Sequence, residues 1–434
     1  MANTRTPERD VALALTIPAA WCALMLWLRW NLPPPDILSL YYGARFFDAG
    51  RLAEVYAHDT LIFSGEVSRL WRETANSFGY APDYPLFPYV YPPLWAALLG
   101  PVAAKLPPAA FSNLAYAVQL PLFCGAAALS WRLYRPGFAL WRWMAVLLAL
   151  ATVSIVGLQA VWQNQPQIAL AFLVVLAFER QAAGRPAQAG AALAAAAALK
   201  LYPALFALIW LTGGNRRALG WFAGTGAALG VASLALGGVD IHREFLAQVG
   251  RISEVVVASR FNFNLEATLF QMTHFSGHLA RVASGGLSQL IFAEPGWITW
   301  TVRATLVAGM AAMLARARGA DPAWRQRALT PAFIALVSIC GPLGWGHHFL
   351  PVLMFLPGLL CLWGRRAGAA MLAGFALMTA GPALDALNLL PGPVMAGQLA
   401  GAAAMALALM AFLLSPVCRQ PGEYEERGAK AGTT

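Results

Sequence analysis

The sequence predicts an all-α protein, a polytopic transmembrane helical bundle of about twelve segments. Three observations carry this. Of 434 residues, 59% are hydrophobic and only 12% are charged, where a soluble globular domain carries about 25% charged residues. Half that charge cannot cover the surface of a folded body this size. Mean hydropathy is +0.58, and uncharged runs near the roughly 20 residues that a membrane helix needs recur along the chain. Soluble enzymes, disordered chains and fibrous proteins are thereby excluded. A helical membrane bundle is one unit, so 1–418 is read as a single domain and 419–434 as a short polar tail.

The elements follow in order. Val11–Leu28 is uncharged and forms the first helix. The MANTRTPER before it is polar and basic, and no cleavage site follows, so this helix is read as retained. Asn31–Pro88 is polar and aromatic, too long for a tight turn and too charged to span. Tyr84–Ala104 and Leu106–Trp131 are uncharged, with Pro107-Pro108 between them. Trp143–Phe178 holds two helices broken at Gln163-Asn164-Gln165-Pro166-Gln167. Ala187–Leu211 is apolar except for Lys200, and Ala218–Val239 is rich in Ala and Gly. A second polar segment, Asp240–Glu294, precedes the apolar Pro295–Leu314. Ala328–Gly364 supplies two helices around Trp345-Gly346-His347-His348, and Ala367–Leu384 and Ala386–Cys418 supply the last two. Small residues dominate many of these runs, which suits close helix packing in lipid.

Charge sets the expected orientation. The net charge is +10. The polar segments 31–88 and 240–294 carry twelve acids and eight arginines, while the rest carries eight acids and twenty-two basic residues. An excess of Lys and Arg marks cytoplasmic loops, so both termini are expected inside and both polar segments outside, in a cell membrane. The basic balance then reports orientation and implies no nucleic acid. Arg132, Arg135, Arg142, Arg180 and Arg185 conflict with simple alternation. The alternative makes Tyr91–Leu106 re-entrant and folds Ala187–Leu211 into a half-depth hairpin broken at Lys200-Leu201-Tyr202-Pro203. Five cysteines without CxxC spacing argue against a disulfide framework or a zinc site.

Polar residues in or beside a membrane are costly, so they are functional candidates. Asp36 follows Pro33-Pro34-Pro35 beyond the first helix. It either caps the next helix or acts as a general base, since apolar walls raise a carboxylate's pKa. Asp48 is the runner-up. Around Asp36, Tyr41-Tyr42, Arg45 and their neighbours up to Gly50 read as an amphipathic interfacial helix or as a substrate-facing element. Tyr91 stands in a Tyr- and Pro-rich lead into the second helix. Gln165 lies in the Gln-Asn-Gln break, a short loop or a set of amides for a hydroxylated ligand. Lys200, beside Tyr202, either snorkels to the cytoplasm or neutralises a phosphate. Asn264 lies in the second outer segment. His347-His348 cannot share a helix face, which disfavours a two-ligand metal site; one imidazole suits a phosphate or a sugar hydroxyl. Arg260, Arg281 and Arg303 are further phosphate candidates.

These pieces in this order resemble glycosyltransferase family 87, in the GT-C class of membrane glycosyltransferases. The resemblance rests on Asp36 with Tyr41-Tyr42 nearby, GRLAEVYAHD, YVYPPLWAALLGPVAAKLP, the stretch from QNQPQIAL to LKLYPALFALIWL, FNLEATLF and GHHFLPVLMFLP. It implies transfer of a hexose, mannose above all, from a polyprenyl-phosphate donor to a lipid or glycan acceptor, with no cofactor and no metal. Asp36 takes the family's base role, His347 or His348 that of its outer His, and Lys200 that of its membrane Lys. Two departures stand out: Gln-Asn-Gln where Asn-Gly-Gln is common, and Asn-Leu-Glu where Asn-Gln-Ser is common. The candidate substrate contacts are Tyr41, Tyr42, Arg45, Tyr91, Gln165, Lys200, Tyr202, Asn264, His347 and His348. A transporter or lipid flippase is the rival, but internal repeats and paired intramembrane charges are missing from the sequence.

Overall fold

The computed structural model describes residues 7–57, 67–274, 290–390 and 394–416. Arg5, Arg281, Cys418 and the tail lie outside these residues. The described residues are mostly helical, as the apolar runs predict. Helix α1 (Pro7–Arg29) ends where Asn31 takes a left-handed φ of 58° and the three prolines turn the chain. Helix α2 (Pro35–Asp48) starts on Pro35, whose fixed φ suits a first helical position. Two short helices, α3 (Leu52–Val55) and α4 (Arg69–Ser77), follow. Then come α5 (Pro93–Lys105), α6 (Pro108–Tyr134), α7 (Leu140–Val153), α8 (Ile155–Trp162), α9 (Gln167–Ala182) and α10 (Pro186–Leu199). A 3-10 turn at Tyr202–Ala207 leads into α11 (Leu208–Thr212).

Helix α12 (Arg216–Ile252) has 37 residues. The span expected to stop at Val239 instead continues beyond the polar Asp240, but Gly238 kinks it with φ 75° and ψ 177°. Only glycine adopts such an angle at no steric cost. Strands β1 (Val255–Ala258) and β2 (Leu290–Ala293) pair antiparallel, with Val255 opposite Ala293, and flank α13 (Leu265–His274). Helix α14 (Gly296–Arg318) precedes the helical segments Thr330–Ile339, Leu350–Phe355, Arg365–Thr379 and Ala396–Leu413.

Among the described residues, five helices are long and apolar enough to cross a membrane, or six if α8 and α9, bent by 120° at their junction, count as one. Helices α5 and α10 have 13 and 14 residues, about 20 Å each at 1.5 Å per residue, against a hydrocarbon core near 30 Å. By length alone, neither crosses such a core as a single straight helix. Arg132 and Arg180 both pair with the buried Glu179, so their formal charge overstates what this end of α6 and α9 presents.

Two large apolar clusters and a small third one around Ile252 and Val257 hold the described residues together. The larger joins α6, α7, α9 and α10 to the 330–362 region. Its helices approach closely: a Cβ on Gly190 of α10 would run into the Ala218 carbonyl of α12. The second is aromatic and surrounds α2, with Tyr41, Tyr42, Trp71, Tyr89 and Phe111.

Candidate active site

A cavity of about 1060 Å³ lies where three helix breaks meet the start of α2. The breaks are Gln163–Pro166 between α8 and α9, Lys200 after α10, and the segment before the 3-10 turn Gly346–Phe349. Irregular backbone at membrane depth is tolerated where it lines a cavity. Each break carries polar side chains into this one.

Asp36 sits in the first turn of α2, but its side chain makes no cap bond. It lines the cavity instead, and its carboxylate accepts a hydrogen bond from Gln165 Nε2. Burial raises the Asp36 pKa to about 6, while the Gln165 bond and the charge of Lys200 pull it down. The other end of the Gln165 amide accepts from the Tyr91 hydroxyl at 3.1 Å.

Gln165 is aimed by its neighbour. Asn164 is fully buried and left-handed, with φ 49°. Its amide donates to the Ser112 carbonyl at 2.9 Å, and Gln119 donates to its carbonyl oxygens. Asn and Gly are the residues that tolerate this backbone region best, so Asn164 suits the turn.

Lys200 terminates α10 in an extended conformation, φ −146° and ψ 142°. It does not snorkel away. Its Nζ lies 3.0 Å from His348 Nε2 and 5.6 Å from the centre of the Tyr91 ring. His348 Nδ1 lies 2.8 Å from the Leu343 carbonyl. A carbonyl only accepts, so Nδ1 carries the hydrogen and Nε2 accepts a hydrogen bond from the Lys200 ammonium. His347 packs edge-on to His348 and its Nδ1 finds no partner among the described residues. The Tyr202 hydroxyl accepts from Gln167 at 2.6 Å, and its ring faces His348. Arg260 and Asp385 form an ion pair at 2.8 Å, both half-exposed on the cavity's rim.

The structure thus brings Asp36, Tyr91, Gln165, Lys200, Tyr202, His347 and His348 to one cavity. It does not bring Tyr41, Tyr42, Arg45 or Asn264 there. At about 100° per residue, Arg45 lies about half a turn from Asp36, and Tyr41 and Tyr42 also point away. Helix α2 is buried nearly all round, not amphipathic. The Tyr41 hydroxyl donates to the Leu106 carbonyl at 2.9 Å, and Arg45 donates to the Ala103 carbonyl at 3.1 Å. Tyr42 packs on Trp71. Asp48 packs beside Gly100 of α5, outside the cavity. Asn264 caps α13 through the Ala267 amide and also donates to the Gly341 carbonyl. With Asn262, which receives the Gly344 amide at 2.8 Å, it braces the chain that presents the two histidines. Arg303 does not line the cavity either. Ser39, one turn from Asp36, does; its hydroxyl donates to the Pro88 carbonyl. A polar residue three positions from Asp36 on one helix was the signal for it.

A family model for glycosyltransferase family 87 matches residues 89–338, more than half of the chain. The match contains Tyr91, Gln165, Lys200 and Tyr202; Asp36 and His347-His348 flank it. No curated protein matches the chain. A helical chain with several membrane-length apolar helices, and with the family's pattern across most of its polar cavity, is accounted for by that family. The chain belongs to glycosyltransferase family 87 and is a membrane glycosyltransferase.

Proposed function

We propose that the enzyme moves a hexose, mannose in the first instance, from a polyprenyl-phosphate donor to a lipid or glycan acceptor on the outer face of the cell membrane. The observation that carries this is the pairing of chemistries in one cavity. A partly protected carboxylate, Asp36, and an ammonium, Lys200, interact across walls that are otherwise mostly apolar. The apolar walls suit an isoprenoid chain and the ammonium suits its phosphate.

The reaction is a single displacement. The acceptor hydroxyl gives its proton to Asp36 as its oxygen bonds to the anomeric carbon. The bond from that carbon to the phosphate oxygen breaks, and the polyprenyl phosphate leaves with the electron pair. Lys200, held by His348, offsets the charge that develops there. One displacement inverts the anomeric centre, and one base suffices. The concentration of acids in 31–88 and 240–294 supports an outward-facing site with both termini inside. A GT-C bundle of about twelve crossings would hold this site at its outer face.

The test is incubation of membranes with a panel of labelled polyprenyl-phosphate hexoses. Transfer of label to lipid or glycan, strongest from the mannose donor, is expected. Absence of transfer from every hexose donor overturns the proposal and favours a transporter or flippase.

A further inference from the structure

Helix α8 and its C-terminal cap carry two glutamines one turn apart, Gln159 and Gln163, and both line the cavity. Residues four apart lie on the same helix face. The side-chain oxygen of each is shielded and has no hydrogen-bond partner among the described residues. Other amides share part of that condition: Gln119, Gln167, Gln271, Asn388 and Gln398 also have one end without a partner. Each of those is held by its other end, as when Gln167 donates to Tyr202 and Asn388 receives the Gly397 amide. The side chains of Gln159 and Gln163 make no hydrogen bond at either end among the described residues.

A shielded amide oxygen left without a partner is costly. The shielded oxygens pack against protein, and the two amide nitrogens, which are neither shielded nor bonded among the described residues, remain as donors on a face that lines the cavity. The backbone makes room for one of the oxygens. A Cβ on Gly346 would lie 2.9 Å from Gln159 Oε1, so glycine beside His347 admits the amide. An amide nitrogen donates, which is the complement of a sugar hydroxyl oxygen.

We propose that Gln159 and Gln163 form the hexose-recognition wall of the cavity, their amide nitrogens donating hydrogen bonds to ring hydroxyls of the sugar. The proposal rests on the hexose-transfer reading of the same cavity. The ring could belong to the donor or to a glycan acceptor, and kinetics separate the two.

The experiment uses the full chain in a non-glycosidic detergent with Gln159→Leu and Gln163→Leu, which keep volume and remove both amide ends. Binding of methyl α-mannoside and its monodeoxy analogues is measured by ligand-observed NMR. Neither variant loses a hydrogen bond to the described residues, so thermal stability is expected to hold or rise. Hexoside affinity is expected to fall about tenfold or more in each. At least one deoxy analogue that the unaltered protein discriminates against is expected to bind a variant as well as the parent sugar does. In transfer assays, a raised KM for the polyprenyl donor places the ring on the donor; a raised KM for the acceptor places it there. Variants that bind and discriminate like the unaltered protein overturn the proposal, and so does an unaltered protein that binds no hexoside. Hexoside binding without transfer from any polyprenyl-phosphate hexose overturns the donor assignment and leaves the wall in place.

Discussion

Replacing Asp36 by Asn is expected to stop transfer and to stabilise the protein, with a pH dependence that identifies the cause. The Asp36 carboxyl, raised by burial, titrates near 6 in the fold, against about 3.9 in an unfolded chain. Two pKa units correspond to about 3 kcal/mol. Below pH 4 both states are protonated and the carboxyl costs nothing. Between pH 4 and 6 the unfolded chain releases its proton first, so stability falls as pH rises. Above 6 the full cost is present. It is about 3 kcal/mol for a dry cavity and nearer 1 kcal/mol where water reaches the carboxylate. The substituted amide would not titrate, and its carbonyl can still accept the Gln165 bond. The variant and the parent should therefore unfold together at pH 4, and the variant should unfold at a higher temperature at pH 7. Thermal unfolding of detergent-purified protein between pH 4 and 8, beside the transfer assay, measures both effects. A stability gap independent of pH, or one favouring the parent at pH 7, refutes the reasoning, because Lys200 and Gln165 would then outweigh burial. Full transfer by the variant removes Asp36 from the chemistry.

The remaining predictions concern the neighbours of Asp36 and the packing beneath. Gln165→Leu removes a charge-assisted hydrogen bond worth about 1.5–3 kcal/mol, so the pH–rate midpoint should move up from about 6 by roughly 1–2 units. Transfer lost at pH 7 should be partly regained towards pH 8 and lost again above it, because burial brings the Lys200 ammonium down to about 8; an unmoved acid-side midpoint shows the bond is not felt. Lys200→Met should lower kcat by about a hundredfold or more, with Lys200→Arg intermediate, as measured by single-turnover transfer. Gly190→Ala drives a methyl into the Ala218 carbonyl and should cost about 1–3 kcal/mol, seen as a lower unfolding temperature with unchanged kcat in the folded fraction.

Much of the cavity was legible because polar residues inside apolar runs are expensive. The breaks at Gln163–Gln167, Lys200 and Trp345–His348 stand out for that reason, and all three line one space. The direction of a side chain on a buried helix was not legible. Tyr41, Tyr42 and Arg45 share α2 with Asp36, but a helix buried nearly all round has no apolar periodicity to show which face meets the cavity. The wall formed by Gln159 and Gln163 escaped because Gln159 is isolated in an apolar run and Gln163 reads as part of the break; their spacing of four was the available signal. Asn264 reads in sequence as a loop polar residue, and only tertiary contacts with Gly341 and Gly344 reveal a brace. The break in α12 at Gly238 falls beside the expected end at Val239, so the hydropathy change marked it; the helix that resumes through Asp240 as far as Ile252 was not legible, because a charged residue interrupts hydropathy without forbidding a helix.

The Arg260–Asp385 pair has a kinetic consequence. Its side chains are 38% and 50% exposed, and an ion pair so hydrated contributes about 0–1 kcal/mol. So far as this pair governs the rim, the two segments part for roughly a sixth of the time or more at equilibrium. Rising ionic strength, which screens exposed charges over about 8 Å at physiological salt, shifts that population further. Whatever substrate crosses this rim therefore meets a contact that thermal motion undoes unaided.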